Sequence, residues 1–240
     1  MMLGWRARIG QMRPATSIEG AEEWRSVAPV GVAFADARTI VPRVDDAGLR
    51  VMMSQVLEAS RQLATAKVDL IVQCGAPGTF LRGPGHDEQV VAEIEKETGI
   101  PAITMMAAMM DALKAVNARK IAVGTIYSDE VNAAMTSYME AHGFQVRAMG
   151  GLQITDPFEA SLHDSDSAYR LGRQVFKEAG DADAILISCG TYRTFEMIQY
   201  LEMDTGVPVI SSNQATLWRA LRYLGLRDQI PNLGKLWSVA

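Results

Sequence analysis

The chain has 240 residues, of which 48% are hydrophobic and 21% are charged, and its net charge at neutral pH is −5. This is the composition of an ordinary globular protein, and the length allows one large domain or two smaller ones. The negative charge and the lack of a basic cluster argue against nucleic acid or a membrane surface as a partner, and they leave a homo-oligomer open.

The N-terminal segment and the cysteine content indicate the compartment. The first 14 residues contain arginines but no apolar core of the kind that a secretory signal has. The longest apolar runs fall well short of the ~20 residues that cross a bilayer. Two cysteines in the whole chain fit a reducing compartment. We therefore expect a cytoplasmic protein.

Short apolar runs alternate with longer stretches of helical periodicity along the whole chain. In the first half this pattern predicts strand 7–12, strand 30–35, helix 45–67, strand 68–74, helix 87–97, strand 101–106 and helix 106–116. In the second half it predicts strand 120–127, a helix within 128–143, strand 144–152, helix 168–179, strand 184–189, helix 194–203, strand 208–211 and helix 213–224. Strands that alternate with helices of this length predict an α/β fold with parallel sheets that helices cover on both faces.

A repeated pattern divides the chain into two halves. Each half has a strand that ends in Cys-Gly, at Cys74 and at Cys189, with Thr-Phe five and six residues after the cysteine. Each half then has Thr-Gly-Ile-Pro or Thr-Gly-Val-Pro, at 98–101 and 205–208. Three matches in the same order predict two pseudo-symmetric α/β lobes with the active site in the cleft between them. We assign residues 1–115 plus 212–240 to the N-terminal lobe and residues 116–211 to the C-terminal lobe.

The two cysteines are the candidate catalytic residues. Ligands of open α/β sheets bind at the carboxyl ends of the strands. Small residues follow each cysteine, so the backbone N–H groups of Gly75, Ala76, Gly190 and Thr191 can approach and hold an anion. A nearby helix N-terminus lowers the pKa of a thiol towards neutrality. Either cysteine alone is more simply a small buried hydrophobe, but the repeated context favours chemistry for the pair.

Two thiols on opposite faces of a cleft suit proton transfer at carbon. One thiolate removes a proton from the carbon next to a carboxylate, or adds to it, and the other thiol returns a proton. Backbone N–H groups stabilise the enediolate-like form of the carboxylate, so that no metal or organic cofactor is needed. The sequence also lacks the His and Cys spacing of a zinc site.

Several segments are similar to the aspartate/glutamate racemase superfamily, most of all to its branch of arylmalonate decarboxylases and maleate cis-trans isomerases. The similar segments span nearly the whole chain and include RIGQMRP, FLRG, IYSDEVNAAM, AILISCGTYRTFEMI and TGVPVISSNQATLW. The resemblance implies a two-lobed, pseudo-symmetric α/β sandwich and catalysis by cysteine without a cofactor. It implies that Cys189 is the cysteine common to decarboxylases and isomerases. Cys74 resembles the first cysteine of the racemases and maleate isomerases, which the decarboxylase replaces by glycine.

The resemblance also implies substrate-binding positions. Tyr127 resembles the family tyrosine that hydrogen-bonds a substrate carboxylate, and Gly190 and Ser212 resemble positions that line the pocket. Pro14 matches the decarboxylase, since maleate isomerases have asparagine there. Gly75 and Ala76 stand where the decarboxylase has two hydroxyl donors, and Thr79 is a candidate to replace them.

Two arginines, Arg13 and Arg82, lie near the predicted edges of the cleft. Either guanidinium is able to form a bidentate pair of hydrogen bonds with a second carboxylate of a substrate. For each of them a solvated surface arginine is the favoured interpretation.

We expect a cofactor-independent isomerase or racemase that acts at the carbon next to a carboxylate, with Cys74 and Cys189 as the two thiols. Two alternatives stay open. One is an arylmalonate-type decarboxylase in which Cys189 alone is the proton donor, and the other is a binding protein for small carboxylates. The expected ligand is a small carboxylate or dicarboxylate, whose identity the sequence does not give.

Overall fold

A computed structural model describes residues 3–239, and its first sheet is built from the N-terminal part of the chain. The strands are β1 (Ala7–Pro14), β2 (Val32–Thr39), β3 (Leu70–Gln73) and β4 (Ala102–Thr104), in the order β2-β1-β3-β4. Every neighbouring pair is parallel. The helices of this part are α1 (Ile18–Val27), α2 (Asp46–Met53), α3 (Val56–Thr65), α4 (Ala76–Phe80), α5 (His86–Thr98) and α6 (Met105–Ala115).

The second sheet repeats this topology. Its strands are β5 (Lys120–Thr125), β6 (Gln145–Gly151), β7 (Ala184–Ser188) and β8 (Val209–Ser211), in the order β6-β5-β7-β8, and all pairs are again parallel. The helices are α7 (Asp129–Ala141), α8 (Ser165–Ala179), α9 (Phe195–Thr205) and α10 (Ser212–Tyr223), with 3₁₀ turns at Glu159–Leu162 and Lys235–Ser238. The α/β class with two parallel sheets flanked by helices is confirmed. None of the helices within residues 3–239 is both long and apolar enough to cross a membrane.

The Thr-Gly-Ile-Pro and Thr-Gly-Val-Pro repeats have the same structural role in both halves. Gly99 and Gly206 end α5 and α9 with φ of 69° and 76°, a left-handed conformation that glycine adopts without steric cost. The prolines that follow lead into β4 and β8, and the carbonyl oxygens of Pro101 and Pro208 each accept a hydrogen bond of 2.9 Å from the neighbouring strand. The repeat in the sequence therefore marks a structural repeat.

The structure differs most from the predicted elements at three sites in its first half. The helix expected at 45–67 is two helices, and at the break between them the Gln55 side chain bonds the N–H and the carbonyl oxygen of Ile40 at 2.9 and 3.0 Å. Helices α1 and α4 are additional to the prediction. Helix α4 has five residues, among them Pro77 and Gly78, so it is too short and too poor in helix-forming residues to show a helical periodicity in the sequence.

Helices α6 and α10 follow the last strand of each sheet and pack against one another between the two halves. One hydrophobic core cluster runs through both sheets and these helices, so the two halves share a core. Since α10 contacts α1 and α6 as well as β7 and β8, the assignment of residues 212–240 to the N-terminal lobe stays a prediction.

Candidate active site

A cavity of about 50 Å³ lies where the carboxyl ends of β1, β3, β5 and β7 meet. It combines residues from the ends of both sheets with residues from α2 and the connections around it. Its lining consists of Pro14, Thr16, Val41, Val44, Leu49, Met52, Cys74, Gly75, Ala76, Pro77, Ile126, Tyr127, Pro157, Ala160, Cys189, Gly190 and Thr191. Both cysteines thus line one cavity, although they are 115 residues apart in the chain.

Cys74 follows the last residue of β3 and continues the strand pairing. Its N–H donates to the carbonyl oxygen of Met12 on β1 at 2.9 Å, which fixes the backbone of the cysteine at the sheet edge. The residue is 1% exposed. Burial raises the pKa of the thiol, and the nearby positive charge of Arg13 opposes this rise.

Cys189 follows β7 in the same way and is 5% exposed. The backbone N–H of Thr191 donates to its Sγ at 3.4 Å. Burial raises the pKa of this thiol to about 11, although hydrogen bonds from Thr191 and Tyr192 pull in the other direction. Cys189 is therefore a protonated thiol at neutral pH.

The expectation that helix N-termini lower the pKa of both thiols is wrong. Burial has the largest effect at each sulfur, and it raises the thiol pKa. The helix after Cys74 has only five residues, and the helix after Cys189 begins at Phe195, six residues further along the chain. Neither arrangement places a long helix dipole directly on the sulfur.

Of the residues that the sequence suggests for substrate binding, most line the cavity: Pro14, Gly75, Ala76, Tyr127, Gly190 and Thr191. Thr79 and Ser212 do not. The Thr79 hydroxyl donates within α4 to the carbonyl oxygen of Ala76 at 3.0 Å. The Ser212 hydroxyl lies in the core at 3.2 Å from Met109 Sδ and 3.5 Å from Ser188 Oγ. The roles of all these residues stay predictions.

Tyr127 lies beside Cys189 in the cavity wall and is 3% exposed. Burial raises the pKa of its phenol well above the ordinary value, and a negative charge on Cys189 would raise it further. The phenol is therefore a neutral hydrogen-bond donor at the pH values where proteins work.

The apolar wall of the cavity is the part that the sequence analysis did not assign to the site. Val41 and Val44 lie before α2, and Leu49 and Met52 lie on its buried face. The regular spacing of Leu49 and Met52 signals only that this helix face is buried. It does not distinguish a face against the core from a face against a ligand cavity.

The prediction of Arg13 as a solvated surface arginine is wrong. Arg13 is 1% exposed, and its guanidinium lies at 4.5 Å from the centroid of the Trp24 ring. It does not line the cavity; it lies behind Gly190, whose carbonyl oxygen is 3.5 Å from Arg13 Nη1. Arg82 is partly exposed and pairs with Asp46 at 3.0 Å.

Charged and metal-binding groups are sparse at this site. The cavity lining contains neither lysine nor arginine. Within residues 3–239, no group of three or more His, Cys, Asp or Glu side chains is arranged to hold a metal ion. The polar groups along the cavity wall are the two thiols, the Tyr127 phenol, the threonine hydroxyls and the backbone N–H groups.

Comparison with known proteins identifies the family. The chain is 29% identical over 192 residues to arylmalonate decarboxylase from Bordetella bronchiseptica, with 80% of each chain covered. It is 25% identical to maleate isomerase from Geobacillus stearothermophilus, with 85% of this chain and 83% of that protein covered. Its fold matches that of the maleate cis-trans isomerase of Nocardia farcinica with a TM-score of 0.91, at 21% identity over 96% of this chain and 97% of the other. The family model described as arylmalonate decarboxylase matches residues 22–237, and the chain belongs to this family.

Proposed function

We propose that the protein is a cofactor-independent isomerase or racemase that acts at the carbon next to a carboxylate, with Cys74 and Cys189 as its two thiols. The observation that carries this proposal is that both cysteines, each at the end of a strand of a different sheet, line one cavity. Reactions at such a carbon need a base or nucleophile on one face and a proton donor on the other. Two thiols meet both needs.

The reaction balances with these groups alone. For racemisation, one thiolate takes the proton from the α-carbon, and the electron pair passes to the carboxylate as an enediolate. The other thiol then gives its proton to the opposite face and becomes the thiolate, so the two sulfurs have exchanged roles. For cis-trans isomerisation, a thiolate adds to one alkene carbon, and the electron pair of the double bond passes to the carboxylate on the other carbon as an enediolate. The carbon–carbon bond is then single and rotates, after which the electron pair returns and the thiolate leaves.

The groups that hold the carboxylate lie along the cavity wall beside the two sulfurs. We assign this task to the backbone N–H groups of Gly75, Ala76 and Gly190 and to the phenol of Tyr127, all at lining positions. Such donors stabilise negative charge as it develops on the carboxylate oxygens. The Thr191 N–H already donates to the Cys189 sulfur and has the separate task of favouring its thiolate.

The remaining wall supports a substrate with an apolar group. Val41, Val44, Leu49, Met52 and Ile126 are apolar members of the cavity lining, and no lysine or arginine lines the cavity. A second carboxylate against these side chains would lose its hydration without gaining a partner. We therefore infer a small acid with one carboxylate at the reacting carbon and an alkyl or aryl substituent.

Decarboxylation of an aryl- or alkylmalonate is the second candidate, and the state of Cys189 favours it. A thiol with a pKa of about 11 is a proton donor at neutral pH without any further step. One carboxylate would leave as carbon dioxide, and the resulting carbanion would take the Cys189 proton. Cys74 has no required part in this sequence of events.

Exchange with solvent distinguishes these reactions. The protein is incubated in D₂O with chiral α-aryl and α-alkyl carboxylates, maleate and aryl malonates, and products are followed by NMR. We expect solvent deuterium at the α-carbon of a recovered monocarboxylate, and we expect both Cys74→Ala and Cys189→Ala to lose this exchange.

Each other outcome has a separate meaning. Release of carbon dioxide that survives Cys74→Ala but not Cys189→Ala would establish the decarboxylase and exclude the two-thiol proposal. Ligand binding without exchange or turnover would point to a binding protein. The chain has two cysteines, and each alanine variant removes one and keeps the other. The two variants are therefore matched controls for one another.

A further inference from the structure

Arg13 is a buried charge that the reaction described above does not use. Its Nε donates to Gln11 Oε1 at 2.6 Å, and the guanidinium lies over the Trp24 ring. Its Nη2 has no hydrogen-bond partner among the described residues. Burial lowers the pKa of the guanidinium, but arginine keeps its charge in proteins. Burial of a charged side chain costs free energy, so we expect Arg13 to have a role that offsets this cost.

The strand register places Arg13 beside Cys74. In the parallel pair of β1 and β3, Met12 is opposite Gln73, and the Cys74 N–H bonds to the Met12 carbonyl oxygen. The next step of this register sets Arg13 opposite Cys74. Because side chains alternate along each strand, two opposite residues leave the sheet on the same face.

The second lobe has no such charge in the corresponding place. In the parallel pair of β5 and β7, Thr125 is opposite Ser188. One further step sets Ile126 opposite Cys189. The pseudo-symmetric site thus has a cation beside one cysteine and an isoleucine beside the other.

Arg13 is also the first member of a chain of hydrogen bonds, which we call the interlobe clasp and which consists of Arg13, Asn213 and Glu23. Arg13 Nη1 donates to Asn213 Oδ1 at 3.1 Å, and Asn213 Nδ2 donates to Glu23 Oε2 at 2.7 Å. Glu23 Oε1 accepts from the backbone N–H groups of Thr194 and of Phe195, the latter at 2.7 Å. A guanidinium only donates and a carboxylate only accepts, so the orientation of the Asn213 amide is fixed at both ends.

The clasp holds the loop that carries Cys189. The Gly190 carbonyl oxygen accepts from Ser17 Oγ at 2.8 Å and faces Arg13 Nη1 at 3.5 Å. Glu23 anchors the far end of this loop at the start of α9. Arg13, Ser17 and Glu23 all lie in the N-terminal part of the chain, whereas the loop follows a strand of the second sheet.

We propose that Arg13 is a positioning residue of the candidate active site, which through the interlobe clasp fixes the loop of Cys189 and holds a positive charge beside the Cys74 thiol. This charge favours the thiolate of Cys74. The other charged groups near Cys74 are Asp36 and Arg38 on β2, which lie 3.7 Å apart and act on the thiol in opposite directions, each less than Arg13 does. The proposal rests on the proposed function, because it assigns a task within the two-thiol site.

Alkylation of the thiols tests this proposal without any substrate. The protein is treated with iodoacetamide from about pH 7 to about pH 11, and the rate at each cysteine is measured by mass spectrometry of its peptide. Only the thiolate reacts, so the pH midpoint reports the thiol pKa. We expect Arg13→Gln to raise the Cys74 midpoint by about one pH unit, which lowers the alkylation rate of Cys74 about tenfold below the midpoint.

Arg13→Lys separates the charge from the clasp. Lysine keeps the positive charge but lacks the planar fork that bonds Gln11 and Asn213 together. We therefore expect a Cys74 midpoint near that of the wild type, together with faster amide hydrogen exchange in residues 189–195. Arg61→Gln is the matched control, since Arg61 pairs with Glu58 and Glu97 on the surface, and it should change neither measurement.

An unchanged Cys74 midpoint in a folded Arg13→Gln protein would overturn the proposal. If that variant does not fold, Arg13→Lys decides: faster exchange in residues 189–195 with a wild-type midpoint supports the proposal, and wild-type exchange rates contradict it. Neither measurement involves turnover. A failure to find isomerase activity would therefore bear on the proposed function alone.

Discussion

Tyr138 on α7 donates its hydroxyl to the buried carboxylate of Asp87 on α5 at 2.6 Å, which joins a helix of the second half to a helix of the first. The Thr104 hydroxyl, at the start of α6, donates to the same carboxylate. Asp87 is 3% exposed, and these two donors satisfy its buried carboxylate oxygens. The contact lies away from the cavity and is a structural link between the halves.

Removal of the Tyr138 hydroxyl should destabilise the protein without changing the site. Tyr138→Phe leaves a buried carboxylate with one donor fewer, and hydrogen bonds to charged groups contribute about 1.5–3 kcal/mol. We expect a loss of that size in the free energy of unfolding, measured with urea. Tyr169→Phe is the matched control, because the Tyr169 hydroxyl bonds Asp204 at the surface; a similar loss there would contradict this explanation.

The pH dependence of the unfolding free energy should reflect the titration of the Glu23 carboxyl group. The residue is half-buried, but its carboxylate is enclosed, and desolvation raises its pKa from 4.5 to about 7 in spite of hydrogen bonds from Thr194, Phe195 and Asn213. Between these two values the folded protein holds a proton that the unfolded chain has lost, so stability falls as pH rises from about 4.5 to about 7. The loss is complete above the folded pKa.

Glu23→Gln should remove this part of the pH dependence. We expect the fall in unfolding free energy between about pH 5 and about pH 8 to be smaller in the variant by about 2–3 kcal/mol. Glu22→Gln is the control, since Glu22 is exposed and pairs with Arg25. If both variants keep the wild-type slope, the Glu23 carboxylate does not titrate in this range.

Gly20 on α1 is needed for the close approach of this helix to the Cys189 loop. A Cβ at this position would overlap the Gly190 carbonyl oxygen and come within 2.6 Å of Arg13 Nη1. We expect Gly20→Ala to push the loop away and to lower turnover by at least tenfold, since small displacements of reacting groups have large effects on rate.

A glycine without such a neighbour is the comparison for Gly20. Gly180 has φ of 72° and nothing within 4 Å of its Cβ direction. Gly180→Ala should reduce stability by about 1 kcal/mol through the backbone and leave activity unchanged. Equal activity of both variants would show that the contact between α1 and Gly190 has no part in the reaction.

The pH profile of turnover should separate the two candidate reactions. A two-thiol mechanism needs a thiolate, and the pKa of both thiols is raised by burial. We therefore expect kcat/KM to rise with pH through about 7 to 9, tenfold per unit until the thiolate forms. A decarboxylase that uses the Cys189 thiol as proton donor should instead show no such rise, because the thiol is protonated up to a pKa of about 11.

The sequence determined the α/β class, the two-part repeat and the strand ends at which Cys74 and Cys189 lie, because these follow from local periodicity and from residues such as Gly99 and Gly206 that end helices. The hydrophobic periodicity of a segment reflects the secondary structure of that segment and does not depend on the rest of the chain. It failed locally at Gln55, inside the predicted helix, where the side chain bonds the backbone of Ile40 outside that segment.

Only the tertiary structure decided which residues surround the thiols. Leu49 and Met52 are spaced as any buried helix face is, and Arg13 reads as a surface charge until Trp24, Asn213 and Glu23 are placed around it. The pKa of each thiol likewise depends on burial, which no single segment specifies. The burial of a side chain and the charges around it both depend on groups that are distant in the chain. They are therefore set only when the two sheets pack together.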